Sequence, residues 1–159
     1  SRRSTDSGYT SSTSPPARLT SSLALSILAF PAPASLAADP VDTIDAQFPL
    51  CTSSPRVTCV VDGDTIWLEG VKIRIADIDT PEISQPQCNA EYELGIRARD
   101  RLVVLLNEGD FALVAIGNRD EDQYGRKLRV IVRGGRSLGD QLVSEGLART
   151  WTGRREPWC

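Results

Sequence analysis

Val57-Thr58-Cys59-Val60-Val61-Asp62-Gly63-Asp64-Thr65-Ile66-Trp67-Leu68-Glu69-Gly70-Val71-Lys72-Ile73-Arg74-Ile75 is the stretch that sets the architecture. Its β-branched and aromatic residues fall into three short runs. Each break carries an acid followed by glycine, Asp62-Gly63 and Glu69-Gly70, and such pairs turn a chain tightly back on itself. Three strands joined by two short turns make a meander. In the third run, strict alternation places Val71, Ile73 and Ile75 on the core face and Lys72 and Arg74 on the other.

Downstream the period changes. Ala90, Leu94, Ala98, Leu102, Leu105 and Leu106 recur at three- and four-residue steps, which predicts an amphipathic helix over 89–107, capped by Asn89 and stopped by Gly109. Residues 111–116 read as a fourth strand. Leu128, Val130 and Val132 alternate with arginines in a fifth. Ser137-Leu138-Gly139-Asp140 opens a second helix in the manner of a capping box, ending near Gly146. The class is therefore α+β. Five strands, one helix between the third and fourth and one after the fifth fit a small Greek-key barrel of the OB type with two or three helices.

The 159 residues suffice for one domain and a targeting segment. There is no methionine, so the chain reads as a processed or incomplete reading frame. Residues 1–37 look like an export signal. Arg2, Arg3 and Arg18 precede a short apolar run over 23–30, and small residues lead to cleavage after Ala37 or Ala34. That run is too short for a membrane anchor. A disordered Ser/Pro linker is the plainer reading of the same composition. Residues 38–56 form an extended lead-in and 57–159 the domain. The expected location is secreted or periplasmic, and the expected state is a monomer without a membrane anchor after export.

From Ala38 onward, 15 Lys and Arg stand against 20 Asp and Glu, a net charge of −5. An acidic domain cannot hold a polyanion by a broad basic surface, so any grip must be local, through a bound cation and a few arginines. Four cysteines (Cys51, Cys59, Cys88 and Cys159) follow the export segment, and an even number favours two disulfides. Zinc is disfavoured, because there is no histidine and no C-x-x-C. Three pairings are open; Cys51–Cys59 with Cys88–Cys159 is preferred, since the second would tie the C-terminus to a loop.

Chemistry concentrates in Asp62-Gly63-Asp64, Arg74, Asp77-Ile78-Asp79-Thr80-Pro81-Glu82 and Tyr124-Gly125-Arg126. Taken singly these are common turns: Asp-Gly closes hairpins and Asp-Thr-Pro-Glu suits an Asx turn. Together they collect repelling acids that a plain core avoids and a cation site uses. Asp64, Asp79 and the Thr80 carbonyl are hard oxygen donors for a cation such as calcium. Glu82 can handle a water, and Arg74 and Arg126 are forks suited to a phosphate. Repulsion among the acids predicts that Asp64→Ala or Asp79→Ala spares the fold.

In order and spacing these motifs resemble the staphylococcal nuclease (thermonuclease) family, over residues 57–151. The resemblance implies barrel closure and a calcium-dependent nuclease acting on DNA and RNA, leaving 3′-phosphate and 5′-hydroxyl ends. It implies Asp64, Asp79 and Thr80 as metal ligands, with Asp62 behind them. Glu82 would position or deprotonate the attacking water. Arg74 and Arg126 would bind the phosphate and stabilise the transition state, with Tyr124 near the substrate phosphate. Where the family carries a basic loop this chain has Ile83-Ser84-Gln85-Pro86-Gln87-Cys88, without lysine, and Trp151 stands where a tyrosine stacks on a base. Two other classes fit the same residues: a non-catalytic nuclease-like nucleic-acid-binding module, and a secreted calcium-binding interaction domain. Calcium-dependent DNA hydrolysis separates the enzyme from both.

Overall fold

The meander forms as its turns dictate. Strands β1 (Cys59–Asp62), β2 (Thr65–Leu68) and β3 (Val71–Ile75) pair antiparallel, with Ile66 opposite Ile73 and Thr65 opposite Arg74. A bulge between Val60 and Asp62 re-aims the end of β1, a common device beside functional sites. The computed structural model describes residues 11–17, 40–52 and 54–159. Residues 11–17 are exposed and irregular and belong to a first unit, Ser1–Leu36; among the described residues all regular elements lie in a second, Ala37–Cys159. The signal-like apolar run and both cleavage positions lie outside the described residues.

The other elements are β4 (Ile78–Asp79), α1 (Asn89–Asn107), β5 (Ala112–Ala115), β6 (Lys127–Arg133), β7 (Arg136–Ser137), α2 (Leu138–Ser144) and β8 (Arg149–Thr150). The main sheet runs β1-β2-β3-β6-β5, with β7 on β6 and β3–β6 as its parallel pair. β4 and β8 form a separate two-stranded ladder, Asp79 opposite Arg149. This is an α+β fold of the OB type. Among the described residues β1 and β5 are not laddered to each other, so the closed barrel implied by the resemblance is not completed by strand pairing.

The lead-in lies along both of these edges. Cys51 N donates to Val60 O at 2.9 Å and Val60 N to Pro49 O at 2.8 Å, on β1. Ile44 N donates to Phe111 O at 2.9 Å, at the head of β5. Between these ties Phe48 is buried, its ring centroid 5.8 Å from that of Phe111. Asn107, the last residue of α1, clasps the Phe48 backbone: its side chain accepts from Phe48 N at 2.8 Å and donates to Phe48 O at 3.0 Å. The core is completed by Ile66, Ile75, Leu102, Leu106, Ile131 and Leu142, each worth roughly 1.5–3 kcal/mol of burial.

Three local expectations are corrected. Val71 is 44% exposed, because it opens β3 directly after the turn, whereas Ile73 and Ile75 are buried. The N-cap of α1 is Cys88, with no side-chain cap; Asn89 lies inside the helix, its amide donating to Glu93 at 2.7 Å. β4, β7 and β8 had no signal, since two residues cannot show alternation. Ser137 does cap α2, accepting from Asp140 N at 3.1 Å, and Gly146 ends the helix with φ of 73°.

Both expected disulfides are formed, Cys51–Cys59 and Cys88–Cys159, with Cα separations of 5.0 and 6.1 Å. Each contributes typically ~2–4 kcal/mol. The two helices are clamped by Arg101, whose fork donates to both oxygens of Glu145 at 2.8 and 2.9 Å. Together with Gln141, that holds the Glu145 carboxyl down at about 2 against an ordinary 4.5.

Two outcomes follow from these contacts. Asn107→Ala leaves two backbone groups of Phe48 unpaired and should cost about 1–3 kcal/mol in urea denaturation; a loss near zero would mean the lead-in is not held there. Because the Glu145 pKa is depressed on folding, its contribution is full above about 4.5 and lost as pH falls toward about 2. The clamp is partly solvated, so its worth is roughly 0.5–1 kcal/mol. Glu145→Gln should therefore melt earlier than wild type at neutral pH and show no deficit near the bottom of that window; a deficit constant with pH refutes the charge effect.

Candidate active site

Arg74 is the centre of the site. Its side chain is 8% exposed, enclosed by Asp64, Asp79, the carbonyls of Ile75 and Ile78 and the ring of Trp151. Nη1 meets Asp64 Oδ2 at 2.9 Å and donates to Ile75 O at 2.8 Å; Nη2 donates to Ile78 O at 3.1 Å and lies 3.7 Å from Asp79 Oδ1. The guanidinium is thus held by two carbonyls and set between two carboxylates. Asp64 also accepts from Thr65 Oγ1 at 3.1 Å and from Thr80 N at 3.3 Å.

The buried contact to Arg74 argues against the expectation that Asp64→Ala spares the fold. Removing Asp64 strands a buried guanidinium, a change that costs about 3 kcal/mol or more.

Asp62 supports Asp64 from the turn, its Oδ1 accepting Asp64 N at 3.1 Å. Burial, then the neighbouring Asp64 charge, push the Asp62 carboxyl up to about 6. Burial also raises Asp79 above the ordinary range, partly offset by Arg155 and Arg74. Asp79 Oδ1 is buried without a hydrogen-bond partner among the described residues. Two glycines allow this close gathering. A Cβ at Gly63 would lie 2.8 Å from Thr80 Cγ2, and one at Gly95 would lie 2.8 Å from Pro81 O.

Arg126 arrives from the other side. Its Nε donates to Asp122 Oδ2 at 2.6 Å and Nη1 to Thr65 Oγ1 at 3.4 Å, which joins it to Asp64 through one hydroxyl. Burial pushes the Asp122 carboxyl up, but bonds from the Arg126 backbone and side chain and from Tyr124 N outweigh it, and the pKa ends lowered. Tyr124 is 75% exposed, its ring 5.5 Å from the Arg126 guanidinium and its backbone N donating to Asp122 Oδ1 at 2.9 Å.

Glu82 stands at the edge of the cluster. It does not bond Asp64 or Thr80 and is joined to Asp79 through Arg155, whose Nη1 meets Glu82 Oε1 while Nε lies 3.6 Å from Asp79 Oδ1. A groove of about 860 Å³ runs past these groups, lined by five cations, Lys72, Arg74, Arg119, Arg126 and Arg155, against the acids Glu82 and Asp122. Trp151 lines it as well, 37% exposed, with the Arg74 guanidinium 5.5 Å from its ring centroid. Cations outnumber acids along this groove, although the domain as a whole carries net negative charge.

Residues 72–157, more than half of the chain, match the family model described as staphylococcal nuclease homologue. The chain belongs to that family. Endonuclease YhcR of Bacillus subtilis (strain 168) is 37% identical over 102 residues, 58% of this chain and 8% of that protein. Endonuclease YncB of the same organism is 37% identical over 94 residues, 56% of this chain and 44% of that protein. Micrococcal nuclease of Shigella flexneri is 32% identical over 106 residues, 58% of this chain and 55% of that protein. The chain therefore carries a nuclease-family domain and spans at most about half the length of these relatives.

Three residues of the site had escaped the reading of the motifs. Arg155 and Trp158 lie in a C-terminal segment without periodicity; Trp158 Nε1 donates to Asp79 Oδ2 at 3.3 Å. Glu91, in the first turn of α1, is 4% exposed and accepts from Glu82 N at 3.2 Å and Gln87 N at 2.6 Å. The only sequence signal for it was an acid at a helix N-terminus, which is ordinary. It braces the loop that carries Glu82. Glu91→Ala should raise amide hydrogen exchange at Glu82 and Gln87 by about tenfold or more while β2 and β3 stay protected; unchanged exchange at both amides would refute the brace.

Proposed function

We propose that the chain is a secreted or periplasmic calcium-dependent nuclease that hydrolyses phosphodiester bonds of DNA and RNA to 3′-phosphate and 5′-hydroxyl products. The observation that carries this reading is the pair of buried carboxylates, Asp64 and Asp79, set beside a buried arginine at a groove that a second arginine enters. Export is supported by the two disulfides, which suit an oxidising compartment. Among the described residues no helix is long and apolar enough to cross a membrane.

The donor set fits a hard cation. The buried Asp79 Oδ1, which has only long ion-pair contacts to Arg74 and Arg155 and no hydrogen bond among the described residues, and the carboxyls of Asp62 and Asp79, raised by burial, are features that a nearby cation relieves. Among the described residues no three His, Cys, Asp or Glu side chains form a closed cage. Asp64, Asp79 and the Thr80 carbonyl would hold the ion, with water completing the shell and Arg74 sharing Asp64. When bound, calcium supplies Lewis-acid stabilisation of the developing phosphate charge and a template for water.

The chain's own residues do the rest. Arg74 is preorganised by the carbonyls of Ile75 and Ile78, and Arg126 by Asp122 and Thr65. Each can point donors at the equatorial oxygens of phosphorus as charge grows on them, with little reorganisation. Glu82 is the carboxylate at the groove able to accept the proton of an attacking water, the chain having no histidine. Tyr124 and Trp151 offer aromatic faces to nucleobases along the same groove.

The test is hydrolysis of plasmid DNA and of RNA with calcium and with chelator. Activity should require calcium. Arg126→Lys, which cannot reproduce the fork, should lower kcat about a hundredfold or more with calcium affinity unchanged. Equal hydrolysis in chelator, or a fully active lysine variant, would overturn the assignment.

A further inference from the structure

Residues 151–159 do not trail away from the domain. Trp151 N donates to Asp77 O at 2.8 Å, and Arg149 Nη1 donates to Pro157 O at 3.0 Å. The Arg149 guanidinium lies 3.7 Å from the Trp158 ring centroid, Trp158 bonds Asp79, and Cys159 is bonded to Cys88 at the entrance to α1. The segment is a strap, fixed on both sides of Arg155.

We propose that this strap delivers Arg155 as a substrate-binding residue that takes a backbone phosphate of the polynucleotide next to the scissile one. The proposal rests on the nuclease reading above. Three observations support it. Arg155 lines the same groove as Arg74 and Arg126, with its side chain 48% exposed. The loop on its side, residues 83–88, contains no Lys or Arg, so Arg155 supplies the charge that the loop does not. Finally, its partners differ from those of the other two arginines. Arg74 keeps two carbonyls besides its contacts to Asp64 and Asp79, and Arg126 keeps Asp122, whereas among the described residues the side-chain partners of Arg155 are Asp79 and Glu82 alone, both of which the proposed chemistry engages otherwise. Once a cation and a water take up those carboxylates, this guanidinium turns its donors to a phosphate within a side chain's reach.

Full-length protein with Arg155→Ala, Arg155→Lys and the double variant Cys88→Ser, Cys159→Ser tests this in two ways. In calcium, Arg155→Ala should raise KM for DNA about tenfold with kcat little changed, as for one lost charge-assisted contact. Anisotropy of a short fluorescein-labelled phosphorothioate oligothymidylate should weaken to the same extent. The slope of log affinity against log salt should fall by about 0.7, as for one phosphate contact on a single strand. Arg155→Lys should recover much of the affinity and the slope. The double cysteine variant, which keeps Arg155 and cuts the latch, should lose a similar part of the affinity and the slope. Unchanged KM and salt slope in Arg155→Ala overturn the proposal. So do faster turnover or tighter oligonucleotide binding, which would make the strap a plug, and wild-type binding by the double variant overturns the latch. A wild-type protein that hydrolyses nothing overturns the nuclease reading, while the anisotropy comparison still decides Arg155.

Discussion

Arg74 and Asp64 meet at 2.9 Å with side chains 8% and 4% exposed, and most of the site is arranged around that buried pair. Desolvating two charges is costly, and their attraction offsets the cost only if the remaining donors and acceptors are also satisfied. Here they are, by Ile75 O, Ile78 O, Thr65 Oγ1 and Thr80 N. Those partners come from β2, β3, β4 and the turn that follows, so satisfying the pair fixes the mutual position of four segments. The geometry of the acids is thus a consequence of one electrostatic requirement rather than of the loops' own preferences.

The same pair bears on how an acidic domain could engage the polyanion that the proposed function requires. With net charge −5 beyond the export-like segment, the long-range field repels nucleic acid. The groove reverses the sign over a short distance, five cations against two acids, and ordinary salt confines each influence to about 8–10 Å. Such a surface favours brief local engagement over stable coating, which suits turnover. The carboxyls that are raised by burial, Asp62 to about 6 among them, show what it costs to gather acids in one buried cluster.

The meander, both helices and the two central arginines were legible because period and turn chemistry act locally. Ile73 and Ile75 are buried where alternation put them, and the bounds of α1 follow from its apolar repeat. Legibility ended where long-range partners decide. Alternation put Arg74 on the face away from Ile73 and Ile75, but did not show that Asp64, from the β1–β2 turn, and Asp79, from β4, would close over it there. The importance of Phe48 depends on Asn107, 59 positions away, and that of Glu82 on Arg155, 73 away. Glu91 is an unremarkable first-turn acid until the loop folds back onto it. β4 and β8 are too short to carry a pattern, although together they fix Asp79.

The loop between β4 and α1 shows how such remote ties substitute for regular structure. It carries Glu82 but has no ladder or helix of its own, and an irregular segment would lose roughly 1–2 kcal/mol of backbone entropy per residue on being fixed. Glu91 accepts two of its amides, Gly95 lets Pro81 lie against α1, and Cys88 fastens its end to Cys159. Each tie acts on a different point, so each removes a different motion. The last of them also fixes the strap, and with it Arg155 and Trp158 beside Asp79. A single covalent bond therefore orders the loop that carries Glu82 and the far wall of the groove together, which the local sequence of neither could have done alone.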